Sequence, residues 1–169
     1  MHHRSRLLFC ALLASATAGS IGCTSARSEF PEGAQPVVIQ PIPEAQSERF
    51  YSGITTQQRL VVRDGATWAN VWQQIDANSI PVPAVPAVDF ASNVVIVAAM
   101  GRKNSGGYSI DVDDVRSVAE DAWVSITENS PGAMCITTAV ITAPVAVVMV
   151  PRFAGQVTFL EHAVQDDCR

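Results

Sequence analysis

NVVIVAAM, residues 93–100, is an asparagine followed by seven consecutive apolar residues. A strand with one wet face alternates apolar and polar residues. A continuous apolar run marks a strand covered on both faces. Residues 93–100 therefore predict a central strand with other elements packed on either side.

Outward from that strand the chain reads as β structure with one helical interruption. Downstream, GYSIDVDDV alternates, with Tyr108, Ile110 and Val112 on one face and Ser109, Asp111 and Asp113 on the other. AWVSITE, CITTAVITA, VAVVMVP and QVTFLEH predict four further strands, most of them separated by the turn residues NSPGA, AP and RFAG. Upstream, RFYSGIT and QRLVVRD predict two short strands. Asp64 is a natural N-cap for a helix over about residues 65–76, in which Trp68, Val71, Trp72 and Ile75 recur at one-face spacing. Both tryptophans read as core anchors. NSIPVPAVPAVDF is too rich in proline for a helix and reads as a loop. The fold class is thus mainly β (α+β): an antiparallel β-sandwich or strongly curled sheet with one packed α-helix, over residues 48–169.

A length of 169 residues bounds the chain to one domain, and 48% hydrophobic residues with a mean hydropathy of +0.20 supply a core. The formal net charge of −5, with Lys and Arg scattered, excludes the basic stripe that nucleic acid requires.

The amino terminus is an address. Arg4 and Arg6 precede a short apolar stretch that closes in small residues, the layout of a secretory signal. ATA at residues 16–18 suits ordinary cleavage, and SIGC at residues 20–23 suits a lipobox, with Ser20 where leucine is usual. Cysteine parity favours the lipobox. Cys10 leaves with the signal, lipidation consumes Cys23, and Cys135 and Cys168 remain to pair in an oxidising compartment. The reading is a lipoprotein signal peptide over residues 1–22, then a lipidated Cys23 and a disordered Pro-rich tether over residues 23–47. Thr24 after the cysteine favours the outer membrane, with the domain facing periplasm or cell surface. The lipid is the only expected membrane contact, because the longest later apolar run, residues 139–150, is interrupted by Pro144 and falls well short of the ~20 residues of a spanning helix.

Catalytic chemistry finds few parts. His162 is the only histidine beyond the signal, and no GxSxG elbow is present. One histidine and two cysteines make no zinc pattern, and Asp111, Asp113 and Asp114 read as a solvated strand face rather than a calcium loop. No enzyme activity, metal or cofactor is expected.

FYSGIT, LVVRDGATWANVWQQI, VDF before an apolar strand, GRKNSGGYSIDVDDV, PGAMCITTAVITAPVAVVMVPR and a final VTFLE occur in that order. Together, over about residues 50–161, they resemble the C-terminal domain of PrcB-like protease complex subunits. The resemblance implies a secreted protein or lipoprotein that assists assembly of a cell-surface protease complex without being the protease. The expected partner is a protein of the cell envelope, a protease included. A second resemblance is confined to NSGGY, which is similar to a loop of chagasin-like cysteine protease inhibitors; it implies inhibition through end loops of a β-sandwich as the alternative function.

GRKNSGGYSI, residues 101–110, reads as a hairpin connection longer than the minimum. Long polar loops on a rigid scaffold concentrate binding residues. The expected partner-contacting end combines Arg102, Lys103, Asn104, Ser105, Gly106 and Gly107 with Arg152 and Phe153, and Tyr108 anchors the base of the loop.

Overall fold

The computed structural model describes residues 29–46, 49–81 and 83–168. The signal segment and Cys23 lie outside the described residues. In chain order the elements are β1 (Gln35–Pro36), β2 (Gln40–Pro41), a 3-10 turn (Pro43–Gln46), β3 (Gln57–Val62), α1 (Gly65–Ile75), β4 (Asn93–Met100), β5 (Ser109–Val118), β6 (Asp121–Pro131), β7 (Val145–Pro151) and β8 (Val157–Asp166). The strands form two four-stranded sheets, ordered β1-β5-β6-β8 and β2-β7-β4-β3.

β4 explains the layering. Val95, Val97 and Ala99 join Trp68, Val71, Trp72 and Ile75 of α1 in one core. Val94, Ile96, Ala98 and Met100 point the other way and meet Ile110, Val115, Val124 and Ile126 of the opposite sheet in a second. Each Val or Ile moved fully out of water contributes roughly 1.5–3 kcal/mol, so both halves of the apolar run stabilise the fold. The layers are therefore α1, the β4 sheet and the β5–β6 sheet, a β-sandwich with one helix on an outer face.

The helix starts where its cap directs. Asp64 Oδ1 accepts from the Thr67 amide at 2.8 Å and Oδ2 from the Thr67 hydroxyl at 2.8 Å. Trp68 and Trp72 lie with ring centroids 5.5 Å apart, and their indole N–H groups donate to the carbonyls of Pro86 at 2.9 Å and Pro83 at 3.3 Å. The Pro-rich loop thus satisfies the two polar atoms that burying the tryptophans would otherwise strand.

Among the described residues, the strands pair antiparallel except β6 with β8. Between those two strands the chain crosses to the other sheet as β7 and returns, so β8 re-enters beside β6 in the same direction. A bulge between Val112 and Asp114 resets the alternation of β5, so that Ile110, Val112 and Val115 all serve the inter-sheet core.

Four expectations are corrected. Residues 35–46 are no tether: β1 pairs with β5, β2 pairs with β7, and Ile42 and Ala45 are buried. CITTAVITA is not a strand; its backbone leaves the sheet and bonds to the 101–107 loop instead. RFYSGIT contributes only a bridge between Tyr51 and Ala143. The 101–107 segment is not a hairpin, because β4 and β5 belong to different sheets and it carries the chain across the sandwich.

Candidate functional site

β4 ends, β6 ends, and β3, β5 and β7 begin at the same end of the sandwich, so three irregular segments meet there: residues 49–56, 101–107 and 132–144. Backbone bonds weave them together. Ala143 N donates to Phe50 O at 2.9 Å and Ser52 N to Ala143 O at 3.2 Å. Lys103 N donates to Thr142 O at 2.7 Å, Thr142 N returns to Lys103 O at 3.1 Å, and Gly106 N donates to Thr138 O at 3.0 Å. The Thr142 hydroxyl donates to Ser105 O at 2.9 Å. Gly53 is required where the first segment passes the end of α1, since a Cβ there would lie 2.5 Å from the Gln74 carbonyl oxygen.

Two adjoining hollows open on this end. One, of about 260 Å³, is lined by Tyr51, Asn78, Arg102 and Ile141; the other, of about 340 Å³, by Phe50, Tyr51, Gly107, Tyr108 and Thr138. Tyr51 and Thr142 border both. Phe50, Tyr51 and Ile141 keep 41%, 51% and 54% of their surface exposed, and Met134 and Ile136 on the same segment are wholly or almost wholly exposed. Residues 133–143 carry no charge. This is an aromatic and aliphatic surface with a rim cation, Arg102, and such composition characterises protein-binding patches.

Lys103 lies over the Tyr108 ring, its Nζ 5.4 Å from the centroid, and Tyr108 packs against the inter-sheet core. Tyr108 therefore sits at the loop base, where the sequence places it.

Arg152 and Phe153 are elsewhere. Asn93 pairs with Pro151, so Arg152 follows at the beginning of β4, whereas Arg102 follows its end, about 23 Å away at strand rise. Arg152 donates to Phe90 O at 2.8 Å, and Phe153 is buried with Arg63 stacked 5.2 Å from its centroid. The two loops expected to act together stand at opposite ends, and the Arg152 end has a separate hollow of about 320 Å³ lined by Val37, Glu120, Arg152 and Phe153.

The aspartates of β5 have structural partners. Asp111 pairs with Arg49, Asp114 with Arg116 at 2.8 Å, and Asp113 accepts from the Thr127 hydroxyl at 2.6 Å. His162 is exposed on β8 beside Thr127. Arg59 reaches from β3 across the sandwich to Glu128 on β6 at 2.5 Å and Glu161 on β8 at 2.8 Å. Burial alone would lower the Arg59 pKa, but the hydrogen bonds Arg59 donates to Glu161 and Glu128, together with their negative charges, outweigh it and hold the group above its ordinary value. Among the described residues no group of three His, Cys, Asp or Glu side chains is placed to hold a metal. Cys135 and Cys168 form a disulfide with Cα atoms 5.1 Å apart, fixing the 132–144 segment to the end of β8.

Phe50, Tyr51 and Ile141 escape the sequence reading. The uncharged run at residues 133–143 was the available signal, but its β-branched residues read equally well as a buried strand.

No curated protein and no solved structure matches the chain. The family model described as PrcB C-terminal matches residues 94–151, a narrower span than the one over which the motifs run. That segment, about a third of the chain, holds β4 to β7 and both loops that Thr142 ties together, and over it the chain is similar to the PrcB C-terminal domain.

Proposed function

We propose that the chain is a non-catalytic lipoprotein of the bacterial outer membrane, acylated at Cys23. In this reading its β domain is an accessory or assembly subunit of a cell-surface protease complex. The partner is gripped by the end that carries Phe50, Tyr51, Arg102 and Ile141. The observation that carries the reading is that the PrcB C-terminal match includes two of the three segments that build this exposed, largely apolar end, those carrying Arg102 and Ile141. Burying three such side chains against a partner supplies the apolar core of an interface, and Arg102 at its rim adds orientation.

Affinity capture from envelope extracts tests it. The wild-type chain should recover a protease, and the Tyr51→Ser, Ile141→Ser variant should lose it at an unchanged melting temperature. Recovery of an active protease supports an accessory role; recovery of a silent one, restored on dissociation, makes the chain an inhibitor. Cys23→Ser should move the protein from the membrane fraction to the soluble periplasm. Equal capture by the double variant would remove this surface from consideration.

A further inference from the structure

The outer side of β8 is a second candidate surface, independent of the loop end. β8 closes one edge of its sheet, and among the described residues nothing pairs with its outer side. Three contacts fix which backbone groups are committed inward. Gln156 O accepts from Ala122 N at 2.9 Å, Asp166 O from Gly132 N at 2.8 Å and Val164 O from the Ser130 hydroxyl at 3.3 Å. In a parallel pair each residue turns its N–H and C=O to one side and its neighbour turns them to the other. The amides and carbonyls of Phe159, Glu161, Ala163 and Gln165 consequently line the open edge.

Edges of this kind are normally blunted by lysine, proline, a bulge or shortness. β8 has ten residues and contains no proline, lysine or arginine, and residues 161–168 are all exposed. Its far end is pinned by the Cys135–Cys168 disulfide and the Gly132–Asp166 bond, so the edge is extended before anything binds, which lowers the ordering cost of association. Among its described residues the formal charges have one sign. Glu161, Asp166 and Asp167 lie along it, while the guanidinium of Arg59 is shared between Glu128 and Glu161 with 12% of that side chain exposed.

We propose that the outer edge of β8 receives an extended, lysine- or arginine-bearing segment of a protein partner as an added strand. Backbone pairing supplies the affinity, and the acidic row selects basic side chains. A second copy of β8 is a poor occupant, because it would set acidic rows against each other.

The test uses the purified chain and two ten-residue peptides, one alternating lysine with valine and one alternating glutamate with valine. Amide hydrogen exchange is the readout. The lysine peptide should slow exchange at residues 159, 161, 163 and 165 on the order of tenfold, less so at high salt. Ala163→Pro removes an outward N–H and no ladder bond, so it should fold and lose the effect; Gln165→Pro is the second variant if Ala163→Pro lowers the melting temperature. No slowing at those amides overturns the proposal, as does equal slowing by the glutamate peptide or retention of the effect in the folded proline variant. Protection already present in the free chain, with a dimer by sedimentation, would assign the edge to a second copy and overturn it too.

Discussion

Gly101→Ala measures how tightly the crossing from β4 to β5 is held. Gly101 has φ +69°, in the left-handed region, where an L side chain costs about 1–2 kcal/mol. A Cβ at this position would stand 2.8 Å from the Thr56 carbonyl carbon and 2.9 Å from both Gln57 N and Thr55 O. All three are backbone atoms leading into β3, so no rotamer change relieves them. Thr55 O also accepts from Arg102 N at 3.0 Å, and displacing it weakens that bond. Overpacking of this kind adds roughly 1–3 kcal/mol, for a total of about 2–5 kcal/mol. At ~2–4 °C per kcal/mol for a chain of this size, the melting temperature should fall by about 4–20 °C. Gly106→Ala is the control. There the nearest atom is the rotatable hydroxyl of exposed Thr138, and the cost should stay under about 1 kcal/mol. Urea titrations followed by tryptophan fluorescence report both. A Gly101→Ala protein within about 0.5 kcal/mol of wild type, or an equal loss in Gly106→Ala, would refute the reasoning.

Two further outcomes follow from the same geometry. The Thr67 amide, then its hydroxyl, hold the Asp64 carboxylate below its ordinary range. Its contribution is therefore present above the ordinary carboxylate value and lost as pH falls through the depressed one, so the stability gap between wild type and Asp64→Ala should close toward acid while Asp64→Asn keeps a pH-independent cap; urea midpoints across pH check this. Cys168→Ser opens a loop with a sequence separation of 33, and in the chain-entropy view should cost about 3–4 kcal/mol, matched by adding reductant to wild type and measured by denaturant titration.

β4 and α1 were legible because each has a period and a length that physical chemistry reads directly: an unbroken apolar run, and four apolar residues on one helical face behind Asp64. Two-residue strands such as β1 and β2 have no period to detect, and Pro36 and Pro41 there mimic a linker. CITTAVITA has strand composition, but its backbone partners are Lys103, Gly106, Phe50 and Ser52 in two irregular segments, a tertiary fact that local propensity does not encode. The pairing of Arg102 with Arg152 failed for a related reason. Both follow apolar strands, and only the β4–β7 register, Asn93 with Pro151, reveals that antiparallel neighbours send them to opposite ends. The aromatic pair at Phe50 and Tyr51 was hidden because aromatic residues near a glycine read as strand.

β1 and β2 stitch the front of the domain to both sheets, and this changes the mechanics of attachment. Had the chain been loose as far as residue 47, the stretch beginning at residue 24 would let the domain travel about 80 Å from an anchor at Cys23. With Gln35 already in a sheet and the Arg116 guanidinium 4.5 Å from the Phe30 ring, the span between β1 and the proposed anchor at Cys23 is bounded by the eleven residues 24–34, at most about 36–40 Å. If Cys23 carries lipid as proposed, a domain on so short a lead would sweep a shallow layer just above the membrane, and a pull from a bound partner would load the front of the domain, where β1 makes only two residue pairs with β5.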